Sequence, residues 1–288
     1  MAVERLKTPR VKKGKYTFGT FIMQIIVFIA SLFFIAPLFI ILNYSFKTRR
    51  ELFLSNPLAL PENPNWDNYS HAFDRLDLTS TFTNTFFYTA LSVTILALVC
   101  GAAAWAIVRS KGRFYKIAYY YFIVGILIPA QALFLPIFII GFRLGLVNTR
   151  FGVIFMYVAT NISFGIFLMT SFMTTVPIEI EEAARIDGCS VYRTYFSIVL
   201  PLLKPAIAAL VIMQSFQIWN DYLMASLFAS NHRLRTMTLA LQGLFSQQTT
   251  DYTTAFAAIV MSVLPIIVLF VALQKYFVKG MAVGAVKG

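Results

Sequence analysis

Acidic residues are scarce in this 288-residue chain: twelve, against twenty-four lysines and arginines. Charged residues of both signs make up only 12%, about half the roughly 25% of an ordinary soluble domain, which excludes a chain of that class. Cysteine is nearly absent. Cys100 and Cys189 lie in different segments, offer no disulfide framework and have no His or Cys neighbour at metal-ligand spacing. The two histidines, His71 and His232, are isolated from one another. No H-E-x-x-H, G-x-S-x-G or G-x4-G-K-[ST] occurs; Gly14-Lys15 is followed by Tyr16. The chain therefore has no catalytic set, metal centre or cofactor site of its own.

What is abundant is apolar residue, at 59%. A chain of this length cannot bury that much in a water-soluble core, so the bilayer is the expected solvent. Crossing a hydrocarbon layer of about 30 Å as helix takes about 20 apolar residues. Six such runs stand at 18–42, 82–108, 117–140, 152–174, 205–229 and 254–277. Helices satisfy their own backbone groups in lipid, and the alternating ten-residue pattern of a membrane barrel is missing. The expected fold is an all-α polytopic membrane protein of six transmembrane helices. A basic leader over 1–17 precedes a first run too long for a signal peptide. Lys and Arg crowd the leader, the 109–116 segment, the 181–204 loop and the tail about twice as heavily as the opposite loops, which predicts that both termini are cytoplasmic. The net charge of +12 is thus an orientation signal and not a nucleic-acid footprint. On the other side, 43–81 reads as an ordered external cap with a short helix over 65–73. Asn68-Tyr69-Ser70 matches a glycosylation sequon by accident.

Against the scarcity of acid, Glu179, Glu181, Glu182 and Asp187 cluster between runs four and five. The loop over 175–204 reads as two short helices. Pro177 suits a first helical position, and the carboxylates complement the helix dipole. Val176, Ile180, Ala183 and Ala184 share a face. Gly188 ends the first helix in a left-handed turn. Ser190 caps the second, which stops at Pro201. Physics alone leaves two readings level: a capped surface link, or a rigid handle whose alanines and glycine admit the backbone of a partner. Polar residues also interrupt run five: Gln214, Gln217, Trp219, Asn220, Asp221 and Tyr222. A carboxylate in mid-membrane costs roughly 2.5–3.5 kcal/mol, so Asp221 must face protein or water. Gln214, Gln217 and Asp221 have the spacing of one helix face. They form either a polar wall facing a water-filled path or interhelical hydrogen bonds. Gln131, between Pro129 and Pro136, is a weaker path residue at a proline-kinked span, and Asn84 and Asn161 are weaker again. The end from Val278 to Gly288 is glycine-rich and reads as a flexible tail.

Glu182-Ala183-Ala184, Gly188 and Ile198-Val199-Leu200-Pro201 follow the pattern E-A-A-x3-G-x9-I-x-L-P. This resembles the EAA loop of permease subunits in binding-protein-dependent ABC importers. "SFKTRREL", "NPNWDNYSHAF", "WNDYL" and the ending "FVKGMAVGAVKG" extend the resemblance along most of the chain. They are similar to the second permease subunit of maltose-type and oligosaccharide-type systems. The resemblance implies a bacterial-type inner membrane protein, a heterodimer with a homologous permease, two cytoplasmic ATPase subunits holding ATP and Mg, and an extracytoplasmic sugar-binding protein. It implies ATPase coupling through Glu182, Ala183, Ala184, Asp187, Gly188, Ile198, Leu200 and Pro201. It also implies a tail contact with the ATPases through Gly284, Ala285, Val286 and Lys287. Two alternatives stay open: the same architecture carrying glycerol phosphate or another polyol derivative, and an ion-driven secondary transporter using Asp221.

Overall fold

The computed structural model describes residues 18–245 and 251–285, with backbone alone at 273 and from 275 onward. The basic leader, Val286 and Lys287 lie outside the described residues. Among those described, every regular element is a helix. In chain order these are α1 (Phe18–Ser45), α2 (Arg49–Leu54), α3 (Asp67–Leu76), α4 (Leu78–Arg109), α5 (Arg113–Leu127), α6 (Ala130–Arg143), α7 (Arg150–Met173), α8 (Glu179–Ile186) and α9 (Val191–Thr194). A wide turn over Tyr195–Val199 leads on to α10 (Leu200–Leu202), α11 (Lys204–Trp219), α12 (Leu223–Phe228), α13 (Met237–Phe245) and α14 (Tyr252–Ala285).

Four helices are long and apolar enough to cross a membrane alone: α1, α4, α7 and α14. The third apolar run is bent, and a second bend falls just before the fifth. The axes of α5 and α6 meet at 107°, and the stretch 191–202 meets α11 at 70°. The count is six if each bent pair is one span. The first bend falls at Ile128-Pro129, where the residue before proline is driven out of helical geometry. Run five itself breaks at Asn220–Tyr222, so the polar sequence inside it marks a helix end and not a helix face.

The core lies where α4, α7 and α11 pack together. Without water to drive apolar faces together, membrane helices associate where small residues let backbones approach. Here Gly165 meets Cys100, and a Cβ on Gly101 would stand 2.8 Å from the Tyr195 hydroxyl. Apolar side chains of α1 remain exposed along most of its length, as lipid contact requires. Two apolar grooves flank α14: one of about 900 Å³ against α4 and α11, the other of about 570 Å³ against α7 and α11.

The expected external cap is ordered. Thr48 and Glu51 form a capping box at the start of α2, and Glu51 also accepts the Glu62 N–H at 2.9 Å. Asn68 donates both amide hydrogens, to Ser45 O and Lys47 O, at 2.9 Å each. It is buried, so its sequon is not an accessible one. The fully buried Lys47 donates to Ser55 Oγ and Asn56 O. At the other end, α14 corrects the expectation of a flexible tail, because helix continues to Ala285. Gly280 and Gly284 each cost about 1 kcal/mol in a helix, but extending a helix already formed needs no new nucleus.

Candidate functional site

The acidic cluster folds as α8, starting two residues after Pro177. Its C-terminus closes in a Schellman turn. Gly188 N–H donates to Arg185 O at 3.1 Å and Cys189 N–H to Ala184 O at 2.9 Å. Gly188 sits at φ +81° with open space where a side chain would be, so the demand for glycine is purely conformational. Ser190 Oγ then accepts the Arg193 N–H at 3.3 Å and caps α9.

Two expectations for this loop need correction. The second helix does not stop at Pro201. It widens first, with Leu200 N–H reaching back to Tyr195 O, and carries the proline to Leu202. A wider turn moves the carbonyl that the proline ring would strike, and proline has no N–H to lose. The faces of α8 also differ from the expected set. Glu181 and Ala184 are buried, whereas Ile180 and Ala183 are exposed. Glu179, Glu182, Ala183 and Ile186 form the outward face, and Ile186 is 86% exposed. Asp187 and Pro201 are exposed, and Ile198 and Leu200 are half-buried.

Glu181 is the residue that composition and spacing missed. It is 1% exposed and carries the one salt bridge among the described residues, with Arg109 Nε 2.8 Å from its Oε1. Trp105 Nε1–H donates to Oε2 at 2.8 Å, and Arg109 Nη2 donates to Val176 O at 2.7 Å. The Trp105 ring stacks on Tyr195 at 5.2 Å. The last turn of α4 thus holds α8, the residue before Pro177 and the wide turn together. A buried pair so fully hydrogen-bonded is intolerant of losing one partner, which costs about 3–5 kcal/mol. The only hint in the sequence is that Trp105 and Arg109 lie four apart, on one helix face, at the end of an apolar run.

The polar residues of run five separate in space. Gln214 is enclosed, on the core face with Leu210 and Ile218, while Gln217 is exposed beside the smaller apolar groove. The expected common face of Gln214, Gln217 and Asp221 is therefore not formed, since α11 ends at Trp219. Trp219 is buried and donates its indole N–H to Ser262 O at 3.1 Å. Asp221 accepts the Met224 and Ala225 N–H groups, at 3.4 and 3.0 Å, and the Tyr157 hydroxyl at 3.1 Å. Its carboxylate starts α12 and ties it to α7. Asn84 donates to Arg233 O and Arg235 O, so it too serves the fold. Asn161 donates to Tyr157 O within its own helix. Asn220, Tyr222 and Gln131 are exposed. Tyr222 lines a polar cleft. That cleft, of about 270 Å³, is shared with Ser226, Ser230, Arg235, Leu239 and Gln242. It lies at the opposite end of α4 from Glu181, because Asn84 and Thr85 hold the 233–237 segment there. Gly284 and Ala285 are the last residues of α14. No group of three or more metal-ligating side chains occurs among the described residues.

Residues 95–283 match the family described as binding-protein-dependent transport system inner membrane component. The chain is 36% identical over 267 residues, 93% of its length and 97% of the relative's, to a probable starch degradation products transport system permease of Thermoanaerobacterium thermosulfurigenes. It is 34% identical to the melibiose/raffinose/stachyose import permease of Bacillus subtilis, over 92% of this chain and 97% of that one. Arabinooligosaccharide permeases of Halalkalibacterium halodurans and Bacillus subtilis are 31% and 29% identical. In fold, it matches a chain of a bacterial ABC transporter that imports the acidic polysaccharide alginate, with TM-score 0.80 and 23% identity over 91% of this chain and 99% of that one.

Proposed function

Because the chain belongs to the family of binding-protein-dependent transport system inner membrane components, we propose that it forms half of the path of an ATP-driven sugar importer and takes its motion from a partner ATPase through α8. The observation that carries this reading is the two-sided character of α8. One face is locked to α4 by a buried carboxylate. The other presents Glu182, Ala183 and Ile186 outward, and the Gly188 turn then leads on to the exposed Val191 and Tyr192. An exposed apolar patch on a small acidic helix, anchored from behind, has the chemistry of a plug for a groove on another protein.

On this reading each bent pair counts as one span, both termini are cytoplasmic, and α8 and the last turn of α4 lie on the cytoplasmic side. ATP and Mg bind partner subunits, and this chain does no chemistry. A homologous permease covers the apolar grooves beside α14, two ATPases dock below, and an extracytoplasmic binding protein delivers cargo above. Gly284 and Ala285 at the end of α14, with Val286 and Lys287 that follow them in sequence, contact the ATPases. The cargo is a neutral oligosaccharide, as the names of the relatives suggest. The cleft at Tyr222 offers hydroxyls, an amide, an aromatic ring and Arg235 at the outer end of the path. Asp221 spends both carboxylate oxygens on protein donors, which argues against its service as the ion site of a secondary transporter.

The test is site-directed cross-linking in the complex purified through a tag on this chain. Ala183→Cys and Ile186→Cys are expected to capture an ATPase subunit, and Ala184→Cys, facing inward, is not. Capture from Ala184 alone, or from none of the three, refutes the reading.

A further inference from the structure

The loop holding α8 is joined in sequence to α7 and α11, yet its buried contacts run to α4. Glu181 accepts from Trp105 and Arg109, both on α4, and Arg109 also holds Val176 O just before α8. Tyr195, beyond α8, stacks on Trp105 and packs its hydroxyl against Gly101 of α4. At its far end the same helix grips the segment that leaves the broken span. Asn84 holds Arg233 O and Arg235 O, Thr85 Oγ1 accepts the Met237 N–H at 2.8 Å, and Tyr88 donates to Leu234 O. Arg235 lines the Tyr222 cleft. Between Asn84 and Arg109 lie about 37 Å of helix at 1.5 Å per residue. Proline lies inside α1, α6 and α14, but α4 contains none and runs unbroken over 32 residues, so the commonest cause of a kink is missing.

We infer that α4 is the rod that carries motion from α8 to the outer cleft, and that Glu181, Arg109 and Trp105 are positioning residues that fasten α8 to it. The inference rests on the reading of α8 as the ATPase-facing joint. It adds that α8 and the end of α4 move as one body, although α4 is not adjacent to the loop in sequence. Load applied to the outward face of α8 passes through a charged, doubly hydrogen-bonded carboxylate into α4. Such a contact resists both sliding and rotation, which an apolar contact does not.

The experiment uses the whole complex, purified through this chain and reconstituted, with Cys189 replaced by serine and spin labels at the exposed positions Lys111→Cys and Arg185→Cys. The distance between them is measured without nucleotide and after trapping with ATP, Mg and vanadate. The rod predicts the same single distance in both states, within the 1–2 Å of an ordinary helix shift. A change of about 5 Å, one helical turn, overturns it. In Glu181→Gln the two states are expected to separate, and stimulation of ATP hydrolysis by the copurified binding protein with its bound sugar to fall about tenfold, a typical coupling factor. Should Glu181→Gln fail to assemble, Trp105→Phe keeps an aromatic ring beside Tyr195, removes the indole donor, and is expected to lower stimulation in the same direction. Full stimulation with unaltered distances in the assembled variant contradicts the inference. Cross-linking from Ala183→Cys in the same preparation reports on the ATPase docking separately, so failure of the rod and failure of the joint are told apart.

Discussion

A carboxylate in an apolar run invites a functional reading, and Asp221 shows how burial decides between two of them. Its oxygens take two backbone N–H groups at the start of α12 and the Tyr157 hydroxyl, which makes it a helix cap across a break. Asp221→Ala is therefore expected to cost about 1 kcal/mol of stability, the usual loss for a missing cap, read as a lower melting temperature of the purified complex. Asp221→Asn, which keeps an acceptor, should recover most of it and leave ATP-driven uptake intact. Glu51 is the corresponding residue of the external cap. Hydrogen bonds from the Thr48 N–H, the Glu62 N–H and the Thr48 hydroxyl, in that order, hold its carboxyl below the usual carboxylate range. A group depressed in the folded state stabilises above its ordinary value and loses that contribution as pH falls through the depressed one. Tryptic cutting at Arg49 and Arg50 is expected to rise as pre-incubation pH drops below about 4.5, the ordinary value, and Glu51→Gln should flatten that profile. Gly188 makes the same kind of residue-scale demand. With φ at +81° and empty space around it, Gly188→Val is expected to cost roughly 1–2 kcal/mol of left-handed strain and to lower stimulated ATP hydrolysis without blocking membrane insertion. Gly188→Asn should be milder.

At the scale of elements, much of the loop over 175–204 was legible because its signals are local. A glycine that ends α8, a serine that caps α9 and the acidic first turn of α8 are decisions made within four residues, and each stands as read. The burial of α8 was not legible. Its inward face is set by Trp105 and Arg109, more than seventy residues away in sequence, and helical spacing alone grouped Ala184, which is buried, with the exposed Ala183. The same limit explains run five. Composition shows an apolar stretch with polar interruptions, but whether these form a face or a break depends on the donors that Asp221 meets in α7 and α12. Pro201 is a third case: proline ends most helices, and only the wide turn before it lets this one continue. Asn84→Ala, which cuts the rod at its far end, is expected to impair uptake while leaving capture from Ala183→Cys unchanged, and quantitative cross-linking beside a transport assay checks both halves.

At the scale of the whole molecule, scarcity of charge and the lengths of the apolar runs were enough to predict an all-helical membrane protein. They did not show the bend of 107° inside run three or the bend of 70° just before run five, because a bend at proline changes direction without changing hydropathy. Nor does this chain close its own surface. The apolar grooves beside α14 and the exposed α1 belong to a subunit meant to be covered by lipid and by another chain. The central claim is that motion enters this chain from ATP hydrolysed elsewhere. Its most direct test is uptake of radiolabelled oligosaccharide into vesicles carrying the reconstituted complex and its loaded binding protein, with and without ATP. Accumulation that requires ATP and the ATPase subunits, and that ignores collapse of proton and sodium gradients, is the predicted result. Uptake that persists with those subunits stripped away and an ion gradient imposed would contradict the account.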